Sequence, residues 1–479
     1  MKKLNELIPC DYDTLISSIE DDSRVKNDNY LFCCIKGLTV DGHDFAKDAV
    51  DNGAVAILSE KDLEVDVPVV KVDNTNKAMI DVLSRFYDGV DKKLKMIGVT
   101  GTDGKTTVAS MIYQLINNMS KAGYVGTNGI ECEGYKQEGH LTTPFPRDLF
   151  TALDNFDKQG CKYVSMEVSS ERLLTGRMDD MDFDIAIFTN LTKDHINNHK
   201  TYNNYRECKG KLFNMIRPSG FAIINNDDEN AAYFRKVSNG KVLTYAIDNK
   251  ADYSATDIII APRKLMFKLT APTGEYTVES PLSGKYNVYN LMASIMTCQA
   301  LGFDIETIIE NIKNLTPIKG RADIIDYNGK FKVIIDYAHT SNALKNILEF
   351  ATILTNGGII TVTGSAGGRD NVKRPEMGRI VTSLSNYVVF TMDDPRYEDP
   401  NDIIDQLVSG LDDNVRNYER VIDRRDAIKK VLSIAKEGDV VVIAGRGNDT
   451  FMPLGDTVVR CNDYEEVYKN LKEEVSLQC

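Results

Sequence analysis

The residues whose types and spacing could do chemistry begin with Lys95 to Val108, KMIGVTGTDGKTTV. A short apolar run leads into a turn bounded by Gly101 and Gly104, with Thr102 and Asp103 between them, and Lys105, Thr106 and Thr107 open a helix. That pattern predicts a phosphate cradle, because glycines let the backbone turn tightly and aim several N–H groups at one anion where a helix begins. Lys105 adds a point charge, and the Thr106 hydroxyl stands where such loops offer an oxygen to Mg2+. The strict nucleotide loop reads G-x-x-x-x-G-K-[ST], and here Val99 holds its first glycine position. A plain strand, turn and helix is the alternative reading of this stretch taken alone.

Other polar residues follow apolar runs. KYVSMEV, Lys162 to Val168, carries Glu167 near its end, and IAIFTN, Ile185 to Asn190, is followed by Leu191 to His195, LTKDH. Parallel strands present their carboxyl ends along one edge, so Glu167 and His195 are expected beside the phosphate loop, where a carboxylate and an imidazole suit Mg2+. For His195 alone the competing reading is a hydrogen-bonded loop histidine. Lys209, in YRECKGKLF (Tyr205 to Phe213) at the opening of the next helix, reads as a solvated surface residue unless its amine lies beside the metal, where a carbamate would turn a cation into an oxygen ligand. Further on, Asp336 and His339, then GSAGGRD (Gly364 to Asp370), then Asp393-Asp394-Pro395-Arg396, then GRGND (Gly445 to Asp449) follow apolar runs in the same way. Arg369, Lys373 and Arg374 sit among these acidic residues, a mixed-charge mouth that suits a zwitterionic ligand better than a polyanion.

These residues need a scaffold of several domains. At 479 residues, two to four domains are expected, and 42% hydrophobic with 27% charged residues is an ordinary globular composition. LFCCI, AVAIL and VPVVKV, with helical stretches at HDFAKDAVDNG and from Asn76 to Tyr87, predict a small α/β domain at the N-terminus. Within it Ser23 reads as a helix or turn cap and Arg24 as a surface ion pair. From Lys95 a long βα alternation predicts a parallel sheet. The composition shifts at Pro317 to Arg321, and VIIDYAH, GIITVTG, YVVFTMD and VVVIAG then predict a third α/β unit with at least four parallel strands. A formal charge of −14 argues against a nucleic-acid surface. Nine cysteines without metal spacing, no apolar signal segment and no run of about 18 apolar residues predict a reduced, cytoplasmic protein that does not enter a membrane.

TGTDGKTT, MEVSS, NLTKDH, YRECKGKLF, LSGKYNVYN, DYAHTSNAL, GSAGGRDNVKRPEMG, DDPRYEDP and AGRGND occur in the order and approximate spacing of the Mur ligases. The chain resembles that family over nearly its whole length, including DSR and KGLTVDGHDF near the start, and within it the branch that joins a diamino acid to UDP-N-acetylmuramoyl-L-alanyl-D-glutamate. The resemblance implies an α/β fold of three domains: a UDP-substrate-binding domain over 1–92, a central P-loop-type ATPase domain with a parallel-rich sheet over 93–319, and a Rossmann-like amino-acid-binding domain over 320–479. It implies ATP and Mg2+ as cofactors, a monomer, and a role in peptidoglycan synthesis through an acyl phosphate. Gly101 to Thr107, Asn290, Arg321 and Asp336 would bind ATP. Thr106, Glu167, His195 and a carbamylated Lys209 would serve the metal, with Lys105, Lys209 and His195 as catalytic groups. Ser23, Thr142, Thr143, Ser169 and Arg177 would hold the UDP-muramoyl substrate, and Arg369, Asp393, Asp394, Arg396, Gly445 and Asp449 the incoming amino acid.

Three motifs depart from the family pattern: Glu171-Arg172 replace His-Gly after MEVSS, D-N-P-R reads Asp393 to Arg396, and G-K-G-H-E reads GRGND. Arg396 favours meso-diaminopimelate, whose extra carboxylate an arginine fork can bind, whereas Asp394 and Asp449 resemble the lysine-adding branch. The alternatives are therefore the L-lysine- or ornithine-adding ligase and a folylpolyglutamate-type ligase, against which the first domain speaks. A nucleotide-binding regulatory or motor ATPase is also weighed, and the polar motifs of the third domain argue against it.

Overall fold

Along Lys95–Thr100, Met96 packs on one face while Ile97 and Val99 pack on the other, the two-residue alternation of a strand buried on both sides. Gly98 sits where a Cβ would meet Phe183 and Leu212 at 2.9 to 3.0 Å, so the glycine is required by the close approach of that layer. In the computed structural model, which describes residues 1–37, 40–139, 141–327 and 329–477, this strand lies inside an eleven-stranded sheet. Its neighbours are Tyr163–Glu167 and Phe183–Phe188, both parallel to it. Leu38 and Thr39 of KGLTVDGHDF lie outside the described residues.

The register explains why polar residues from distant motifs share one edge. Glu167 pairs with Val99 and Phe188 with Thr100, so three chains leave the sheet at the same level. The long parallel alternation holds for the middle of the sheet but not for its margins. The hairpin Gly129–Cys132 with Tyr135–Gln137 closes one side, and Tyr253–Ala261, Lys264–Ala271 and Gly274–Ser280 form an antiparallel meander on the other. Those strands carry charged residues outward and a single apolar row inward (Leu265, Phe267 and Leu269), as expected of strands wet on one face.

A four-stranded parallel sheet precedes this one: Ser18–Glu20, Tyr30–Cys33, Ala54–Ser59 and Val69–Lys71. Leu31, Cys33, Ala56 and Leu58 on its inner face join one continuous core with Leu149, Phe150 and Phe156 of the helix Pro146–Lys158. The last sheet holds five parallel strands and the antiparallel edge Asp323–Tyr327. In it Val440–Ala444 is inserted between Phe331–Asp336 and Ile359–Thr363, and Tyr387–Phe390 and Tyr418–Arg420 continue outward. Apolar clusters cover both faces of this sheet, which accounts for the uninterrupted apolar run VVVIA. Among the described residues no helix is long and apolar enough to cross a membrane.

Candidate active site

The loop after Thr100 is held open from behind. A Cβ on Gly101, at φ 152°, would lie 1.9 Å from Thr189 Oγ1, and Gly104 caps the helix Lys105–Asn117 at φ 86°. Thr189 Oγ1 donates to Asp103 O at 2.7 Å and Asp103 N donates to Asn190 Oδ1 at 3.0 Å, so the end of the neighbouring strand braces the turn. The first-turn N–H groups of the helix have no carbonyl four residues back to bond, and they face the cleft, as a phosphate site requires.

Lys105 Nζ donates to Gly101 O (3.0 Å) and Thr102 O (2.8 Å), and Lys209 Nζ donates to the same Gly101 O at 2.7 Å. Burial lowers the proton affinity of both amines; for Lys209 the neighbouring Lys105 charge lowers it further, well below the ordinary lysine value. Lys209 is 1% exposed, so the surface reading of that helix position is overturned. The helix itself runs Tyr202–Asn214 from a Thr201 cap, so Tyr205 lies inside its first turns rather than at its start.

Glu167 is fully buried and collects Thr106 Oγ1 (2.8 Å), Tyr124 OH (2.9 Å) and Thr127 N (2.8 Å). His195 caps the short helix Ile196–His199 with φ 56°, a conformation few non-glycine residues adopt. Burial, reinforced by Lys209 and Lys105 and opposed by Asp194, pushes its imidazole down to about 3, which leaves it neutral near pH 7. Asp194 feels burial first, which raises it, but Lys373, His195 and His339 outweigh that and hold it below the usual carboxylate range.

The last sheet supplies the opposite wall. Arg321 Nη2 donates to Thr106 Oγ1 at 3.0 Å while its guanidinium lies 4.5 Å from the centre of the Tyr337 ring. Asp336 accepts Ala322 N and Ala338 N, and burial pushes it up to about 6 although Arg321 pulls the other way. Lys373 Nζ meets Asp194 at 3.0 Å, Arg369 meets Glu171 at 3.0 Å, and Thr340 and Asn342 reach Asp103. Asn290 stands behind the loop, its Oδ1 3.1 Å from where a Gly104 Cβ would be, and donates to Asn287 Oδ1. The cleft so enclosed measures about 1060 Å³.

Deeper in the last sheet, Asp393, Asp394, Arg396, Gly445 and Asp449 line the same space. Asp394 and Arg396 both have positive φ, 44° and 55°. Gly445 is at φ 118°, and a Cβ there would lie 2.1 Å from Asp393 Oδ2. Burial pushes Asp393 and Asp449 each up to about 6. Asp394 is paired to the buried Arg446. Arg374, expected at the mouth, is instead fully buried and bound by Glu398, Gln406 and Ala366 O, because a side chain on the packed first turn of Arg374–Leu384 faces inward.

Thr142, Thr143 and Ser169 line the cleft where it turns toward the first sheet, with Thr143 Oγ1 bonded to Glu167 O and Ser169 N. Ser23 and Arg177 lie outside that lining, but Arg177 pairs with Asp21, two residues from Ser23. Arg24 pairs with its neighbour Asp22 at the surface. Arg172, present in the sequence only as a departure from the family, forms a shelf with Arg177: both guanidiniums lie over Phe145, at 4.1 and 4.6 Å. Tyr124 was not legible as a site residue, since it lies inside the strand Ala122–Gly126; Thr127, directly after that strand, and Arg446, inside GRGND, stand after apolar runs, which was a usable signal.

Among the described residues no three His, Cys, Asp or Glu side chains cluster to hold a metal by themselves. The donor set still fits Mg2+, which prefers a few hard protein oxygens completed by substrate phosphates, and Thr106 Oγ1 touches Glu167 Oε2 directly beneath the loop.

Comparison with known proteins gives three consecutive family matches: "Mur ligase family, catalytic domain" over residues 15–87, "Mur ligase middle domain" over 99–298, and "Mur ligase, glutamate ligase domain" over 320–447. The chain is 38% identical over 465 residues to the UDP-N-acetylmuramoyl-L-alanyl-D-glutamate--2,6-diaminopimelate ligase of Geobacillus thermodenitrificans, covering 96% of this chain and 95% of the relative. A solved structure of an enzyme of that same name aligns over 99% of both chains with 31% identity and a TM-score of 0.69. The MurF ligase of Thermotoga maritima shares the fold at 18% identity, with a TM-score of 0.68 over 98% of this chain and 100% of its own.

Proposed function

The chain belongs to the Mur ligase family, and on that premise we propose that it is the ATP-dependent ligase that adds meso-diaminopimelate to UDP-N-acetylmuramoyl-L-alanyl-D-glutamate, in the cytoplasm, for peptidoglycan synthesis. The observation that carries this reading is that the phosphate loop, the Glu167–His195–Lys209 group and the Arg396 pocket all open onto one cleft. We assign substrate binding to residues 1–92, ATP to 93–319 and the amino acid to 320–479.

A carboxylate is a poor acylating agent, so it must first be activated. An oxygen of the D-glutamate carboxylate attacks the γ-phosphorus of ATP, the bond to the β,γ-bridging oxygen breaks, and ADP leaves with the electron pair. The neutral amine of the diamino acid then attacks the acyl carbon. The bond from carbon to phosphate oxygen breaks, phosphate departs, and the nitrogen gives up its proton. Lys105 can turn from the loop carbonyls to the γ-phosphate, where charge neutralisation and positioning do most of the work. Arg321, aimed at Thr106, approaches the same phosphates from the opposite wall. Thr106, Glu167, His195 and a carbamylated Lys209 would hold Mg2+, which would supply neutralisation of the phosphate charge. The depressed proton affinity of Lys209 supports the carbamate, since only the neutral amine has a lone pair for CO2. Thr142, Thr143, Ser169, Arg177 and Ser23 would run along the path from the reacting carboxylate to the uridine end.

The choice of amino acid rests on charge. Asp394 is already paired with Arg446, whereas among the described residues Arg396 has no ion-pair partner and faces the cleft. A second carboxylate on the ligand would supply one. The activation step is tested with substrate carrying 18O in its glutamate carboxylate: one labelled oxygen should appear in the released phosphate. Unlabelled phosphate accompanying full ligation would eliminate the acyl phosphate.

A further inference from the structure

Arg446 is 1% exposed and yet sits beneath the amino-acid pocket, with Asp394, 22% exposed, between it and the cleft. One arm, Nη1, holds Asp394 Oδ1 and lies 3.8 Å from Asp393 Oδ1; the other, Nη2, donates to Phe451 O at 2.9 Å. That second bond reaches the hairpin of Phe451–Leu454 and Thr457–Arg460. The same hairpin grips the backbone of Arg396, through Arg396 N to Pro453 O (3.1 Å) and Gly455 N to Arg396 O (2.6 Å). One guanidinium therefore ties together the two residues of opposite charge that face an incoming amino acid.

Two other cations nearby are committed elsewhere. Arg424 forms a two-pronged pair with Asp463 (2.8 and 2.7 Å) and donates to Ala444 O, and Arg369 is engaged by Glu171. Arg446 is thus the one cation bonded to Asp394 among the described residues.

We infer that Arg446 is a specificity-determining positioning residue: by neutralising Asp394 it makes that carboxylate the electrostatic equivalent of an amide, so that the pocket accepts a distal carboxylate at Arg396 and gains nothing from a lone ammonium. This rests on the reading of the protein as a diamino-acid ligase. An uncompensated Asp394 would repel the distal carboxylate of diaminopimelate and attract the side-chain ammonium of lysine, and discrimination needs both the attraction and the repulsion. Arg446 touches neither substrate in this account and acts only through Asp394 and the hairpin.

The test compares kcat/KM for meso-diaminopimelate and L-lysine in the parent, in Arg446→Met, and in the double variant Arg446→Met with Asp394→Asn. The single variant should lower the ratio of diaminopimelate to lysine by about tenfold or more, and the double variant, neutral again, should return it to within about threefold of the parent. Arg446→Lys, which keeps the charge and gives up the fork, should hold the ratio while raising KM for both. A ratio unchanged in Arg446→Met, or one that the double variant does not recover, overturns the inference even when the parent uses diaminopimelate. If Arg446→Met does not fold, the Arg446→Lys ratio decides, and a collapse of that ratio contradicts the electrostatic role. A parent that prefers lysine defeats the underlying reading first, and this inference falls with it.

Discussion

Two lysines share one carbonyl, that of Gly101; Lys209 is buried and Lys105 half-buried. Burial disfavours the ammonium form of Lys209 and the neighbouring Lys105 charge adds to that, so its neutral form is favoured. Lys209→Ala should abolish ligation, and short carboxylic acids such as formate or acetate should restore part of it by supplying the missing oxygen ligand. Failure of every such acid, together with an intact-mass measurement of an unmodified amine under CO2, would remove the carbamate. Arg396→Ala should cost about 2–3 kcal/mol in kcat/KM for meso-diaminopimelate, the scale of a charged hydrogen-bonded pair, and leave L-lysine nearly unchanged. Equal losses for both would mean that Arg396 does not read a distal carboxylate. The burial of Lys209 was not legible from the sequence, which reads it as a surface lysine; in the structure it shares a buried helix face with Tyr205 and Leu212. Nor was that of Arg374: a basic residue in a basic cluster gives no sign that it will be sealed in by Glu398 and Gln406.

At the scale of elements, the polar residues that follow apolar runs proved the readable part. Parallel strands in register must end together, so Glu167, Asp336, Asp393 and Gly445 could be assigned to sheet edges without coordinates. The antiparallel margins were hidden because their strands carry charged and polar residues on the outer face and so resemble loop and helix segments in composition. Gly445 shows what an element end must supply. At φ 118° a side chain is strained, and its Cβ would collide with Asp393 Oδ2. Gly445→Ala should therefore displace Asp393 and raise KM for the amino acid about tenfold or more, with nucleotide affinity preserved. Isothermal titration with a non-hydrolysable ATP analogue, alongside the amino-acid KM, checks the split. An equal loss of nucleotide binding would show that the strain spreads beyond the pocket.

At the scale of the molecule, the sequence does not say how distant parts of the chain face one another. The cross-cleft contacts come from residues hundreds of positions apart: Lys373 with Asp194, Arg369 with Glu171, and Arg321 with Thr106. Lys373 and Asp194 are only 10% and 5% exposed, so Lys373→Met leaves a buried carboxylate unpaired, a penalty of about 3–5 kcal/mol that the protein can relieve by opening the cleft to water. Small-angle scattering should show a larger radius of gyration for the variant, and turnover should fall. An unchanged radius would mean that this pair does not hold the domains together. The central claim is that one cleft activates a glutamyl carboxylate with ATP and delivers a diamino acid to it. It is tested most directly by following ADP release and product mass for the purified protein with UDP-N-acetylmuramoyl-L-alanyl-D-glutamate, supplied separately with meso-diaminopimelate, L-lysine and L-ornithine. The account predicts stoichiometric ADP and a new amide with meso-diaminopimelate, well ahead of the other two. Preferred use of L-lysine or L-ornithine would contradict the assignment of the pocket, and ADP release without any amide would contradict the ligase.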